Sequence, residues 1–294
     1  MEALAVRDRG QAGEVGQVRQ AENDNQVIAM WLHGRPETTQ RAYAYEVKTL
    51  MAVVVKPLTQ ITLGDLQGYF DGLSELAPAT RSRSINAVKS LFRFAQRIGY
   101  LRFNPCAAIL SPKIKNTLAE RILNESQVHR LISLEPSNRN RVLLRLLYAS
   151  GMRVSEICGL TWKDCQERGE SGQITVYGKG GKTRVVLLSP ETWADLMTLP
   201  KGSSPDSPLF TSRKGKGHLS PVQVHRIVKD ASERAGIEAG VSPHWLRHAH
   251  ASHSLDRGCP VHLVQATLGH CSLATTSRYV HARPDDSSAR YLGV

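Results

Sequence analysis

Arg141-Val-Leu-Leu-Arg-Leu-Leu-Tyr-Ala-Ser-Gly-Met-Arg-Val-Ser-Glu156 is an apolar helical run cut off by a glycine, with an arginine two residues past the break. Val142, Leu143, Leu146 and Leu147 recur at helical spacing, so this helix belongs inside a core. Gly151 suits the turn that ends it, and Glu156 follows Arg153 at the i,i+3 spacing of an ion pair. Working outward, Asn124-Glu125-Ser126 ahead of Val128, Leu131 and Ile132 reads as a capped helix start. Downstream, the β-branched runs Gln173–Val176 and Thr183–Leu188 flank Gly178-Lys179-Gly180-Gly181-Lys182, the pattern of a hairpin whose turn carries two lysines. Beyond Ser220-Pro221 everything reads as helical: Ser220 and Ser242 each precede a proline as N-caps do, and Gly269 suits the end of the helix holding Val261, Val264 and Leu268. The C-terminal half is therefore mostly helical with one small sheet.

The N-terminal half is helical throughout. Val27, Ile28, Met30 and Trp31 mark a first segment; Tyr43, Val47, Leu50 and Met51 mark a second, opening after Pro36 with Thr38 and Thr39 as caps. A short third helix is expected over Leu63–Ser74. A fourth, from Pro78 to Gly99, sets Ile85, Val88, Leu91, Phe92 and Ala95 on one face. Residues 1–24, rich in Gly, Gln, Glu and Asn, read as a mobile tail. Ser111-Pro112-Lys113-Ile114-Lys115-Asn116 reads as an extended basic linker, so that residues 25–110 and 121–294 form two domains joined by 111–120.

Charge narrows the partner. The 294 residues carry 38 Lys+Arg against 26 Asp+Glu, a formal +12, which suits a polyanion. No acidic residue falls between Glu75 and Glu120, where Arg81, Arg83, Lys89, Arg93, Arg97, Arg102, Lys113 and Lys115 all lie. A solvated face normally mixes signs to avoid repulsion, so phosphate neutralisation explains this stripe better. No run reaches the ~20 apolar residues of a spanning helix and Met1–Arg9 lacks a signal-peptide core, so an intracellular, cytoplasmic protein without membrane association is expected. The odd number of scattered cysteines, Cys106, Cys158, Cys165, Cys259 and Cys271, has neither disulfide nor zinc-ribbon spacing. His244 and His248 stand at i,i+4, but no glutamate completes the His-Glu-x-x-His zinc motif. No metal is expected.

Four segments carry the chemistry: Gly151-Met-Arg-Val-Ser-Glu156; the Gly178-Lys179-Gly180 turn; His244-Trp-Leu-Arg247-His248; and Leu268-Gly-His270 followed nine residues later by Tyr279. Each alone has an ordinary explanation as an ion pair, a solvated lysine or a packed tyrosine. Together and in this order they resemble the tyrosine recombinases of the phage integrase family, most nearly the short Xer-like members. The resemblance spans residues 25–294 and is much looser in the N-terminal half. It implies a mainly α fold: a four-helix, SAM-like core-binding domain and a mostly helical catalytic domain with a small antiparallel sheet, closing on DNA as a C-shaped clamp.

The activity implied is site-specific recombination. A tyrosine phenolate can open a phosphodiester and stay bound to it, so Tyr279 becomes the nucleophile, leaving a 3′-phosphotyrosyl bond and a free 5′-OH before strand exchange through a Holliday junction. Two guanidiniums, Arg153 and Arg247, suit the charge that grows on the non-bridging oxygens. The resemblance adds Lys179 as general acid, with Lys182 its rival on the same turn, His244 as proton-transfer group, His270 as donor to the phosphate and Glu156 as active-site support. His248 is expected in a buried hydrogen bond, His250 and His253 outside the chemistry, and Trp245 in packing.

The phosphotyrosyl link preserves the bond energy, so no cofactor is implied, in keeping with the absence of a Walker motif and of a carboxylate cluster for Mg²⁺. Partners implied are double-stranded DNA with an inverted-repeat core site and further copies of the chain, as a homotetramer on DNA. A monomer in solution and an accessory or paired recombinase stay open. The stretch His281–Val294, with Ala289, Tyr291 and Leu292, corresponds to tails that dock into a neighbour, though Asp285-Asp286-Ser287-Ser288 makes it polar. The short segment before residue 25 and the close spacing of His244 and His270 favour a compact recombinase or resolvase over a large integrase. A type IB-like topoisomerase and a catalytically silent DNA-binding protein are the alternatives.

Overall fold

Residues 20–112, 117–178, 181–212, 217–238 and 240–280 are described in the computed structural model, and the chain divides into two compact units at the Lys115–Asn116 bond. The first unit is built from α1 (Asp24–Leu32), α2 (Glu37–Val54), α3 (Leu63–Asp71) and α4 (Pro78–Arg97). The apolar stripe of α4 decides its core: Ile85, Val88, Leu91, Phe92 and Ala95 are all buried, against Val27 and Trp31 of α1 and Val47 and Leu50 of α2. Ala21 joins this core, and Asp24 accepts from the Leu58 N–H at 2.9 Å and the Tyr100 hydroxyl at 2.8 Å, so packing begins ahead of Asn25.

Two local expectations fail here. α2 starts at Glu37 on Pro36, whose fixed φ sets the entry without a side-chain cap, so Thr38 and Thr39 sit inside the first turn. α3 ends at Asp71, short of Ser74, and turns follow it. α2 closes on Val55 in the left-handed conformation (φ 48°, ψ 39°), a position that favours glycine. Val55 is exposed and its side chain offers little packing in return. Val55→Gly is expected to raise the stability of this unit by about 1 kcal/mol, read as a higher denaturant midpoint at unchanged m-value.

The second unit strings together α5 (Glu125–Ser133), α6 (Asn138–Ser150), α7 (Val154–Cys158), β1 (Cys165–Arg168), β2 (Ser171–Tyr177), β3 (Thr183–Leu188), α8 (Pro190–Met197), α9 (Pro221–Arg234), α10 (Pro243–Asp256), α11 (Val261–Leu268) and α12 (Leu273–Val280). Asn124 caps α5 at the expected start and forms a capping box with Gln127, and Ser220 caps α9 with Pro221 at its start. Ser242 precedes α10 but its side chain makes no capping hydrogen bond; Pro243 sets that entry.

Val142, Leu143, Leu144, Leu146 and Leu147 are buried, so a wide face of α6 lies in the core while Arg141 and Arg145 stay on its polar side. The sheet is antiparallel in the order β1-β2-β3. Ile174, Val176, Val186 and Leu188 face the core while Val185 and Leu187 face water, the period-2 pattern of a sheet covered on one side. The fold is thus mainly α with a small antiparallel sheet. The strand β1 was missed by sequence reasoning: Cys-Gln-Glu-Arg has no β signature, and pairing with β2 alone makes it a strand. Among the described residues no helix is long and apolar enough to cross a membrane.

Candidate active site

Two helix ends create the site. α6 stops at Gly151 (φ +58°), where a Cβ would come within 2.6 Å of the Leu268 side chain and 2.8 Å of His250. α11 stops at Gly269 (φ +65°). Both helix C-termini therefore present carbonyls at one place, and Arg247 of α10 binds one from each: Nη1 donates to Gly151 O, and Nη2 to Leu268 O at 2.8 Å. Its guanidinium is almost wholly buried. Burial and the neighbouring charge of Arg153 bring Arg247 down to about 10, so it stays charged at neutral pH.

Arg153 caps the N-terminus of α7 and folds back onto its own helix, its Nη1 donating to Glu156 Oε1 and its backbone N–H to Oε2, both at 2.8 Å. Its Nη2 reaches the Gly269 carbonyl at 3.4 Å. Glu156 is buried, which disfavours its charge, yet hydrogen bonds from Arg184 and the Arg153 backbone outweigh burial and take it down to about 2. Arg184, on β3, was not singled out from the sequence. The signal was there: it shares the strand face of Val186 and Leu188, and an arginine on an inward face needs a buried partner.

Tyr279 of α12 packs its ring with Leu118, Ile122, Ala251, Val264 and Leu268 and is almost fully buried. Its hydroxyl lies 2.8 Å from His248 Nδ1. His248, expected from the sequence in a buried hydrogen bond, makes it with the candidate nucleophile. His244 is exposed and stacks on the His248 ring, centroids 6.3 Å apart. The i,i+4 spacing of the two histidines was the available clue. His270 lies parallel to the Tyr279 ring at 6.5 Å and bonds Thr276 Oγ1 through Nδ1 at 2.8 Å.

Burial pushes His248 and His270 to about 4, helped by His244 and Arg247 at His248 and by Arg247 at His270, keeping both neutral at physiological pH. Burial raises the Tyr279 phenol above its ordinary range, with Arg247 and Arg278 pulling against it. The site holds a protonated phenol, neutral imidazoles and permanently charged guanidiniums. Such an arrangement suits an anion, and the phenol beside it rests protonated.

Lys179 lies outside the described residues. Lys182 is exposed, with Nζ 3.9 Å from Cys271 Sγ beside His270. His250, through Nδ1, bonds the Tyr148 carbonyl, and His253 the Tyr148 hydroxyl.

The basic stripe of α4 splits into two groups. Arg83 pairs with the buried Glu46 at 3.4 Å, Arg81 stands 3.9 Å from Asp71, and Lys89 donates to the Ile109 carbonyl. Arg93 and Arg97 are exposed. Lys113 and Lys115 lie outside the described residues.

The phage integrase family model matches residues 121–285. A tyrosine recombinase of Thermosipho africanus is 32% identical over 256 residues, covering 83% of this chain and 89% of its own. The tyrosine recombinase XerA of Pyrococcus furiosus is 35% identical over 257 residues, covering 84% and 85%. In fold, the chain is similar to a lambda integrase tetramer bound to a Holliday junction, with TM-score 0.72, 19% identity and coverage of 91% and 80%. These matches run through both halves of the chain and through every segment that builds the arginine–tyrosine site: it belongs to the phage integrase family, among the Xer-like tyrosine recombinases.

Proposed function

We propose that this chain is a site-specific DNA recombinase in which Tyr279 Oη attacks the scissile phosphorus, the P–O5′ bond breaks, and a 3′-phosphotyrosyl bond forms with release of a 5′-OH. The observation that carries it is the convergence of Arg153, Arg247, His270 and Tyr279 on the ends of α6 and α11. Arg247 uses two of the five N–H donors of a guanidinium on carbonyls, leaving three for phosphate oxygens. Arg153 adds a second fork. With Nδ1 held by Thr276, His270 keeps Nε2–H to donate to the same phosphate. The departing O5′ takes its proton from a lysine of the hairpin turn, Lys179, with Lys182 as the rival on the same turn. His244 passes protons at the rim of the site, and Glu156 holds Arg153.

The partner in this reading is double-stranded DNA with an inverted-repeat core site, met by a homotetramer; the lambda integrase tetramer on a Holliday junction supports it. Arg93 and Arg97 are the α4 cations best placed for phosphates, with Arg81, Arg83 and Lys89 supporting the helix that carries them. Lys113 and Lys115 extend the stripe. Arg93→Glu/Arg97→Glu is expected to weaken DNA binding at least tenfold at 0.1 M salt and to lower the log–log salt slope by about 2, with the melting of the catalytic unit unchanged. Undiminished binding would remove the stripe from the interface.

The test of the function is covalent trapping. Wild type and Tyr279→Phe are incubated with nicked fragments of source DNA and denatured in SDS, and the ends of protein-linked DNA are sequenced. Adducts concentrated at one inverted repeat, and lost in Tyr279→Phe, are expected. Adducts scattered over unrelated sequences would mean a topoisomerase, and none with either protein, despite binding, a silent DNA-binding module.

A further inference from the structure

Arg153 faces two demands. In the reading proposed above it must meet the scissile phosphate, yet its guanidinium and its backbone N–H both hold Glu156, whose carboxylate is buried. An isolated Arg–Glu pair has no net charge to offer an anion, and a buried carboxylate whose only cation turned toward DNA would be left uncompensated.

Arg184 resolves this. Its Nη1 and Nη2 hold Glu156 Oε1 and Oε2 at 3.1 and 2.8 Å, and its Nε donates to the Thr267 carbonyl at 2.7 Å. All three nitrogens are engaged within the protein.

Two glycines make room for this guanidinium. A Cβ at Gly269 would lie 3.1 Å from Arg184 Nη1, and one at Gly178 would lie 3.7 Å from the same atom and 3.7 Å from Glu156 Oε1. Gly178 also closes the hairpin turn through its N–H to the Lys182 carbonyl at 2.7 Å. The Arg153–Glu156 helix, the residues leading into His270 and the base of the lysine turn therefore meet on one side chain.

We propose that Arg184 is a positioning residue for strand cleavage: by taking over the charge of Glu156 it leaves Arg153 with a full positive charge for the scissile phosphate, and it fixes the lysine turn against the arginine site. Arg153, Glu156 and Arg184 together sum to +1, and Arg247 adds a second charge. The proposal rests on the recombinase reading, and its test separates the two.

Full-length wild type, Arg184→Gln and Arg184→Lys are compared on two duplexes carrying the cut site recovered by trapping. One has the natural scissile phosphate; the other has a methylphosphonate there, which lacks the charge Arg153 would meet. Binding, single-turnover adduct formation at saturating protein, and thermal melting are measured. For Arg184→Gln, adduct formation from bound phosphodiester is expected to fall about a hundredfold, with affinity within about threefold, and the deficit is expected to shrink below about tenfold on the methylphosphonate.

Arg184→Lys, which keeps the charge and loses the fork, is expected to fall in between, and it carries the test if Arg184→Gln does not fold. Unchanged cleavage, a loss explained by affinity, or the same deficit on both duplexes would overturn the proposal, the last because a purely structural role slows both alike. Adducts absent even with wild type would overturn the recombinase reading and this proposal with it.

Discussion

Lowering the pH from about 7 to about 4 is expected to unfold the C-terminal unit before the N-terminal one. His248, His250 and His270 are each held at about 4, below the ordinary 6.5, by burial first; Arg247 adds to it in all three, after His244 in the case of His248, and for His250 a bond to the Tyr148 carbonyl partly opposes burial. For a base whose folded value is depressed, the unfolded chain takes up protons that the folded one refuses. The stability is complete above pH 6.5 and drains away between 6.5 and about 4. Full burial would make each group worth up to about 3 kcal/mol; solvent screening lowers this for the half-buried His270, and because all three face Arg247 the sum falls short of additive. Even so, it is a sizeable part of the ~5–15 kcal/mol of a whole domain.

The carboxylates act lower. Glu156 loses its contribution as pH falls from 4.5 toward about 2, and in the N-terminal unit Asp65, paired with Lys56, does so between 3.8 and about 2. Urea melts followed by tryptophan emission report mainly on the C-terminal unit, which holds Trp162, Trp193 and Trp245 against Trp31 in the other. A midpoint that does not move between pH 7 and 5 would refute the expectation.

Arg247→Ala is expected to cost both stability and chemistry. It leaves the Gly151 and Leu268 carbonyls without their donor in a buried place, at about 1–3 kcal/mol for each. It also removes the more deeply buried of the two guanidiniums assigned to the phosphate, for which a loss of about 10²–10³ in adduct formation is expected. Arg247→Lys separates the two effects, since one ammonium keeps the charge but cannot form two parallel bonds and still present a fork. Thermal melting and single-turnover trapping on the same preparations are the measurements. A wild-type melting temperature in Arg247→Ala would show that the two carbonyls do not depend on it.

Much of this was legible from residue order. The α4 stripe, the apolar face of α6, the Asn124 and Ser220 caps and the glycine ends at 151 and 269 follow from local rules that act within a few residues. Arg153, Arg247, His270 and Tyr279 were named because their types and spacings form a pattern. What escaped depends on contacts distant in sequence. Arg184 matters because Glu156, 28 residues away, is buried beside it. The Tyr279 hydroxyl meets His248, not His244, because of how α12 lies on α10, which no periodicity encodes. The stripe of like charges hid the buried Glu46, which ties down Arg83 from another helix.

One clasp sets a limit on how this protein can change. Arg247 grips the final carbonyls of α6 and α11, and a helix delivers its last carbonyl in a direction fixed by its length. Adding or deleting a single residue within either helix would swing that carbonyl by about 100° and carry it ~1.5 Å along the axis, out of reach of the guanidinium. Insertions and deletions are therefore barred from α6 and α11, whereas the exposed loop at 201–204 can lengthen freely. Relatives should differ in length there and keep these two helices the same size to the residue.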